Sequence, residues 1–83
     1  MPVRGYILIE AEVGHAKSVG EAVTALNHGD ARVASVDTVT GPYDVIVLLE
    51  ADDLDKLGNA ITTGLQKIEG VKKTNTCLAV RLG

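Results

Sequence analysis

The 83-residue sequence predicts an α+β fold in which strands and helices follow one another in the order βαββαβ. Two segments repeat apolar residues every three or four positions, the period of an amphipathic helix, and apolar or β-branched runs flank both. A Gly-Pro dipeptide between the two central runs indicates a hairpin. This order is typical of the ferredoxin-like arrangement, in which interlocked βαβ units place both helices on one face of a four-stranded antiparallel sheet.

The first half of the chain is predicted to form a strand, a helix and a second strand. Residues 3–13 form the first strand, and the helix follows the break at Gly14 and ends in the loop of residues 27–30. Gly20 lies in the middle of this helix, where it permits close approach to the sheet. Residues 33–40 form a β-branched second strand. The apolar stripe of the helix consists of Ala16, Val19, Val23 and Leu26.

The second half repeats this plan. Residues 43–51 form the third strand and contain the longest apolar run, so both faces of that strand are expected to be buried. Asp52 is the predicted N-cap of the second helix, Gly70 ends that helix, and residues 71–82 form the last strand. The apolar stripe of the second helix consists of Leu54, Leu57, Ile61, Leu65 and Ile68.

Composition bounds the size, the environment and the partners of the protein. Residues 1–83 make one predicted domain with an aliphatic core, because the sequence contains no Phe and no Trp. Its single cysteine excludes an internal disulfide and fits a cytoplasmic location. We find no secretory signal and no apolar stretch long enough to span a bilayer. With a net charge of −3 and scattered basic residues, direct nucleic-acid binding is not expected.

The face of the sheet that the helices leave uncovered predicts a partner. Residues 6–9 and 45–49 are apolar on both sides of their strands, although two helices can cover only one side. An exposed apolar patch across several strands is larger than soluble monomers usually show. We therefore expect two chains to pack sheet to sheet as a homodimer. The alternative is that short, twisted strands expose only a few aliphatic side chains.

The sequence offers no evident catalytic, metal or cofactor site. The two histidines, His15 and His28, lie at opposite ends of one predicted helix and cannot share a metal. Cys77 lies among aliphatic residues and is expected to be a buried, inert thiol. The acidic residues at positions 52–55 lack the glycine and the distal glutamate of a calcium loop. We expect a protein that is not an enzyme.

Asp44 is the one residue for which the sequence supports two roles. Beside a flexible turn, its carboxylate can accept a ligand ammonium group, while the amides of Gly41 or Tyr43 donate to a ligand carboxylate. The hydroxyls of Thr74 and Thr76 could complete a polar pocket suited to a zwitterion such as an amino acid. Alternatively, Asp44 only caps the hairpin by accepting amides of its own turn.

Two motifs resemble one protein family. Residues 36–44, of the pattern Val-x-x-Val-Thr-Gly-x-Tyr-Asp, are similar to the start of the effector domain of Lrp/AsnC regulators, called the RAM domain. Residues 68–76 resemble the family's Pro-Gly-Val-x-x-Thr-x-Thr entry to the last strand, with Glu69 replacing the usual proline. The resemblance covers essentially the whole chain, and both motifs occur in the correct order.

This resemblance implies a ferredoxin-like fold, homodimers that assemble into an octamer or a similar ring, and an amino acid bound between dimers. Asp44 would bind the ammonium group, and loop amides the carboxylate. Family regulators carry a helix-turn-helix, whereas the first predicted strand begins close to Met1. We therefore expect a stand-alone effector domain that senses an amino acid, joins full-length regulators, or both. The implied ligand-binding residues are Thr40, Gly41, Tyr43 and Asp44 from the loop, with Thr74 and Thr76 opposite.

Two other functions fit the predicted topology. One is a small dimeric enzyme on a ferredoxin-like barrel, such as the cofactor-free monooxygenases, which usually place aromatic residues in a pocket under the sheet. The absence of Phe and Trp argues against it. The other is an ACT-type amino-acid-binding domain, whose ligand usually lies near a glycine after the first strand, where Gly14 is a weak candidate.

Overall fold

The predicted βαββαβ order is confirmed by the computed structural model, which describes residues 2–80. The elements are β1 (Val3–Ala11), α1 (Ala16–Thr24), β2 (Ala31–Thr38), β3 (Val45–Ala51), α2 (Leu54–Thr63), a 3₁₀ helix (Leu65–Lys67) and β4 (Val71–Leu78). The sheet is fully antiparallel and has the strand order β2-β3-β1-β4. None of the helices in the described range is long and apolar enough to cross a membrane.

The core lies between the helices and one face of the sheet. Side chains of β1 and β3 alternate between the two faces. The residues that face the helices are buried, except Val3 and Ala11 at the ends of β1, which are partly buried. Ile7 pairs with Val47 in the register, and Ile9 pairs with Val45. The helices and the 3₁₀ segment complete the core with Val19, Val23, Leu57, Ile61 and Leu65.

The other side of the sheet, here called the open face, carries no helix. Its centre consists of Tyr6 and Leu8 from β1 and Ile46 and Leu48 from β3, which the register pairs with each other. These four side chains are partly or largely exposed. The prediction that both faces of β3 are buried therefore holds for only one face in the single chain.

The position of Cys77 differs from the sequence prediction. The register pairs Cys77 with Tyr6, which places its thiol on the open face of the edge strand β4. Because no strand pairs with the outer edge of β4 and no helix covers this face within residues 2–80, the thiol is exposed. The expectation of a buried thiol was therefore wrong for the single chain.

The ends of α2 lie at other residues than predicted. Asp53, not Asp52, is the N-cap, since its Oδ1 accepts the Lys56 amide at 2.8 Å. Leu54 is 55% exposed and lies outside the buried stripe. The α-helix ends at Gly64 rather than at Gly70.

Two glycines have local reasons for their positions around this helix end. A Cβ on Gly64 would lie 2.5 Å from the carbonyl oxygen of Ala60. The backbone conformation at the end of α2 therefore requires glycine at this position. Gly70 has φ +96° and forms the turn into β4, with the His15 side chain packed against it. Gly70, which was predicted to end the second helix, is thus a turn residue that follows the 3₁₀ helix.

The N-cap assignment makes a direct prediction about stability. Asp53→Ala is expected to lower the free energy of unfolding by about 1 kcal/mol, because the Lys56 amide loses its acceptor and the helix dipole loses a negative charge. Asp52→Ala is the matched control, since Asp52 makes only an exposed ion pair with the Lys56 ammonium at 3.4 Å. That variant should change stability by less than about 0.5 kcal/mol. Urea denaturation of both variants measures the difference, and equal losses would contradict the assignment.

Candidate functional site

The loop between β2 and β3 is held firmly against the end of β1. The Val39 amide donates to the Asp44 carbonyl, and the Asp44 amide donates to the Ile9 carbonyl, each at 2.9 Å. Gly41 at the turn has φ +142°, a conformation that side chains other than glycine rarely adopt. The loop is therefore a defined hairpin connection.

Asp44 fixes this hairpin through its side chain as well. Its Oδ2 accepts the amide of Ala11 at 2.8 Å, at the point where β1 runs past its last residue paired with β3. Within residues 2–80, only this oxygen of the carboxylate accepts a hydrogen bond from another residue. The donor belongs to β1 and not to the turn of the hairpin itself, so the alternative in which Asp44 only caps its own turn is not what the structure shows. The contact leaves Oδ1 available for a ligand.

A cleft of about 650 Å³ opens between the first turn of α1 and the end of β2. Two of the predicted ligand-binding residues, Thr40 and Asp44, line it. The remaining lining residues are Ala16, Lys17, Thr38 and Val39. The site thus combines a carboxylate, an ammonium group and hydroxyls with a small apolar surface.

A second cleft, of about 420 Å³, continues along α1 and β2 and shares Lys17 and Thr38 with the first. Gly20 allows the helix to lie close to the strand here, because a Cβ at this position would be 3.0 Å from the Thr38 methyl group. This close approach is the reason predicted for a glycine in the middle of the helix. The other lining residues are Glu21, Thr24, Ala25 and Val36.

Lys17 and Thr38 were missed as site residues by sequence reasoning. A usable signal existed, because the βαββαβ topology brings the β1–α1 turn and the β2–β3 loop to the same end of the sheet. The first turn of α1 carries one charged side chain, Lys17, and no acidic residue. Lys17 lies outside the two motifs of residues 36–44 and 68–76, so the family resemblance did not point to it.

Tyr43 points to a different part of the molecule. Its hydroxyl accepts a hydrogen bond from the Asn75 side-chain amide at 3.2 Å. Asn75 is paired with Leu8 on β1, so this contact lies on the open face. Asn75 had no signal in the sequence. Tyr43 and Gly41 do not line the cleft beside Asp44.

Thr74 and Thr76 also lie apart from Asp44 within one chain. Both pair with residues of β1 that face the helices, Thr74 with Ile9 and Thr76 with Ile7. Since β1 separates β4 from β3, Thr74 is about 10 Å from the start of β3. Its hydroxyl accepts from the Gln66 side chain at 3.0 Å. Their proposed part in ligand binding stays a prediction that requires a neighbouring subunit.

A histidine–threonine pair on the other side of the molecule resembles a base and a nucleophile. His28 Nε2 lies 2.8 Å from the Thr63 hydroxyl. That hydroxyl donates to the Asn59 carbonyl at 2.7 Å, while His28 Nδ1 accepts the Asp30 amide at 3.1 Å. Nε2 must therefore carry the proton and donate to Thr63, which is the reverse of base catalysis. The pair ties the loop after α1 to α2.

Within residues 2–80, no three His, Cys, Asp or Glu side chains are arranged to hold a metal ion. The cleft beside Asp44 is large enough for a small molecule, and polar side chains line it. Taken together, these groups suit a ligand that carries both charges, since a carboxylate and an ammonium group line one cavity without forming an ion pair with each other.

Comparisons with known proteins indicate the family and the fold. The family model described as the Lrp/AsnC ligand binding domain matches residues 5–82. The crystal structure of TTHA0845 from Thermus thermophilus shares 34% identity over 98% of this chain and 96% of its own, with a TM-score of 0.84. The FFRP-DM1 structure shares 31% identity over 94% of this chain and 99% of its own, with a TM-score of 0.83.

A longer protein shares the fold. The transcriptional regulator NMB0573 from Neisseria meningitidis, solved as a complex with L-methionine, is 15% identical, with a TM-score of 0.76. The match covers 95% of this chain and 50% of the regulator. No curated protein matches this sequence significantly. Because the family model matches residues 5–82 of this 83-residue chain, the chain belongs to the Lrp/AsnC ligand-binding domain family.

Proposed function

We propose that the chain is an amino-acid effector-binding and oligomerisation module. In this proposal it senses a small amino acid and modulates transcription by assembling with itself or with full-length regulators. The observation that carries the proposal is the placement of Asp44, whose Oδ2 is held by the Ala11 amide while the residue lines an open cleft. A carboxylate fixed in this way can bind an ammonium group without first being ordered.

Membership of the family supports the proposal that the chain binds an effector, because the matching model is that of a ligand-binding domain. The regulator from Neisseria meningitidis, which has the same fold, forms a complex with L-methionine. A free amino acid is also the class of ligand that the cleft suits, since it carries one ammonium and one carboxylate group. The expected cytoplasmic location would give access to free amino acids.

We further propose that two chains form a homodimer through their open faces. The four central residues are apolar, and charged residues lie at both ends of this patch, which suits a protein interface with a dry centre and a polar rim. At one end, Glu50 pairs with Arg4 at 3.7 Å and also with Arg32. At the other end, Glu10 pairs with Lys73 in the register. Such dimers would assemble into an octamer or a similar ring.

We propose no catalytic activity for the chain. Within residues 2–80, the one hydrogen bond between an imidazole ring and a hydroxyl joins His28 to Thr63, and its direction is that of a structural contact. The cleft beside Asp44 lacks a histidine or cysteine that could act as a base or nucleophile among its described lining residues. The residues lining it can hold a zwitterion but do not form a set of reacting groups.

The proposal is tested by a variant that separates two roles of Asp44, which are accepting the Ala11 amide and binding the ammonium group of a ligand. Asp44→Asn keeps an oxygen that can accept the Ala11 amide and removes the negative charge. We expect its stability to stay within about 0.5 kcal/mol of wild type. Its affinity for the amino acid should fall about tenfold or more, because a charge-assisted hydrogen bond is lost. Calorimetric titration measures the affinity, and urea denaturation the stability.

The control for this experiment is Asp55→Asn, which makes the same change of charge in the exposed first turn of α2. It should bind the amino acid as wild type does. Asp44→Ala should lose binding and also about 1–3 kcal/mol of stability, since the Ala11 amide then has no acceptor. Wild-type affinity in Asp44→Asn would show that this carboxylate does not bind the ammonium group.

A further inference from the structure

We propose that α1 carries a second interface between copies of this chain, through which one homodimer joins the next. The inference rests on the homodimer of the proposed function and adds the contact that links such dimers. The interface consists of the second cleft, between α1 and β2, together with Val13 in the turn that precedes α1. The open face lies on the opposite side of the sheet from α1, so one chain can use both interfaces at once.

Val13 is an apolar side chain presented to solvent on a firmly held turn, and it is 99% exposed. The His15 amide closes the turn by donating to the Glu12 carbonyl at 2.9 Å, and the Glu12 amide donates to the Gly70 carbonyl at 2.7 Å. The His15 side chain also packs against Gly70. Because the backbone is already ordered, burying Val13 against a partner has little further cost in conformational entropy.

The second cleft carries one positive and one negative charge. Lys17 and Glu21 are four residues apart on α1, are both exposed and both line this cleft. All ion pairs in the described part of the chain join other residues, so neither charge is paired there. The surface is therefore electrostatically complementary to a second copy of itself, in which the lysine of each chain meets the glutamate of the other.

An antiparallel pairing of two α1 helices about a two-fold axis brings these features together. If Lys17 lies against Glu21 of the partner subunit, the same register places Val13 against Ala25 of the partner subunit, since both pairs are centred on Val19. Ala25 is small and exposed and lines the second cleft, where it leaves room for an apolar side chain. The contact is isologous, so each of these pairs occurs twice.

The contact at α1 is expected to be weak between two single chains, because it involves one helix, one turn and exposed charges. A homodimer presents it twice, once on each chain. Two kinds of two-fold contact on every chain lead from one dimer to the next, and closure of the ring makes the last contact intramolecular. Homodimers would therefore be linked through α1, whereas a chain that cannot form the homodimer stays a monomer at micromolar concentration.

The test reverses the charges of α1 in ligand-free samples. Glu21→Lys brings two positive charges together at both copies of the pair, and we expect the association of homodimers to weaken about tenfold or more. The double variant Lys17→Glu/Glu21→Lys makes the charges opposite again and should recover the wild-type assembly. Asp55→Lys, the control, also replaces an acidic residue with lysine, in the exposed first turn of α2, and should assemble as wild type. Light scattering and sedimentation equilibrium measure the assembly.

A second variant tests the apolar part of the same interface. Val13→Ser removes the apolar side chain without a change of charge, and it should shift the assembly toward homodimers. Urea denaturation should show an unchanged free energy of unfolding, because the side chain is 99% exposed in the single chain. Leu54→Ser, at a leucine that is 55% exposed on α2, should leave the assembly as in wild type.

The outcomes separate this interface from the proposed function. Wild-type assembly of Glu21→Lys, or a double variant that stays dissociated, would overturn the pairing of α1 helices. A wild-type chain that forms only homodimers would overturn it as well. In each of these cases, calorimetric binding of an amino acid to the homodimer leaves the effector function standing. A chain that assembles through α1 but binds no amino acid would support the interface and overturn the effector function.

Discussion

Replacing Leu48 with aspartate is expected to convert the proposed homodimer into a folded monomer. Leu48 lies at the centre of the open face, in register with Tyr6. In the dimer, the new carboxylate would be buried without a partner, which costs several kcal/mol per chain. We expect the dimer dissociation constant to rise about a thousandfold or more. Sedimentation equilibrium measures the assembly, and circular dichroism checks that the chain remains folded.

The matched control is Leu54→Asp, the same substitution at a leucine that is 55% exposed on α2 and distant from the open face. It should leave the assembly unchanged. Leu48 faces away from the helices, so its replacement leaves the core residues of the single chain in place. If Leu48→Asp remained a dimer at micromolar concentration, the open face would not be the interface.

Gly64→Ala should strongly destabilise the chain, although it adds only one carbon atom. The added Cβ would lie 2.5 Å from the Ala60 carbonyl oxygen, with side-chain atoms of His28 and Leu26 at 3.3 and 3.5 Å. Because the nearest atom belongs to the helix backbone, the end of α2 must move to relieve the clash. We expect a loss of about 2–4 kcal/mol in the free energy of unfolding, measured by urea denaturation.

Gly58→Ala in the same helix is expected to raise the free energy of unfolding, the opposite of the effect of Gly64→Ala. A Cβ there meets no atom within 4 Å, and the position is inside α2. Alanine should stabilise the protein by about 0.5–1 kcal/mol, because it has the higher helix propensity and reduces the freedom of the unfolded chain. Similar effects of the two substitutions would contradict the described end of α2.

The sequence predicted the fold because its signals are local. The stripes of α1 and α2 have helical spacing, and the run of residues 45–49 required a central strand. The end of α2 could not be predicted in this way. Leu65 and Ile68 continue the spacing of three and four, although the chain changes to a 3₁₀ helix after Gly64. Spacing alone does not distinguish these two helix types.

The candidate site was predicted in part for a similar reason. Thr40 and Asp44 are neighbours in one loop, and the structure places both in one cleft. Which face of β4 carries Thr74 depends on the register with β1, which no local pattern specifies. Lys17 is distant from the loop in sequence and reaches the site only through the packing of α1 against β2. The sequence of one chain also does not show which residues a neighbouring subunit would bring to the site.

Calorimetric titration of the wild-type chain with the common amino acids, combined with light scattering on the same samples, tests the central claim most directly. We predict that at least one of these amino acids binds to an oligomer and that its binding changes the state of assembly. A monomer that binds none of the amino acids would contradict the claim.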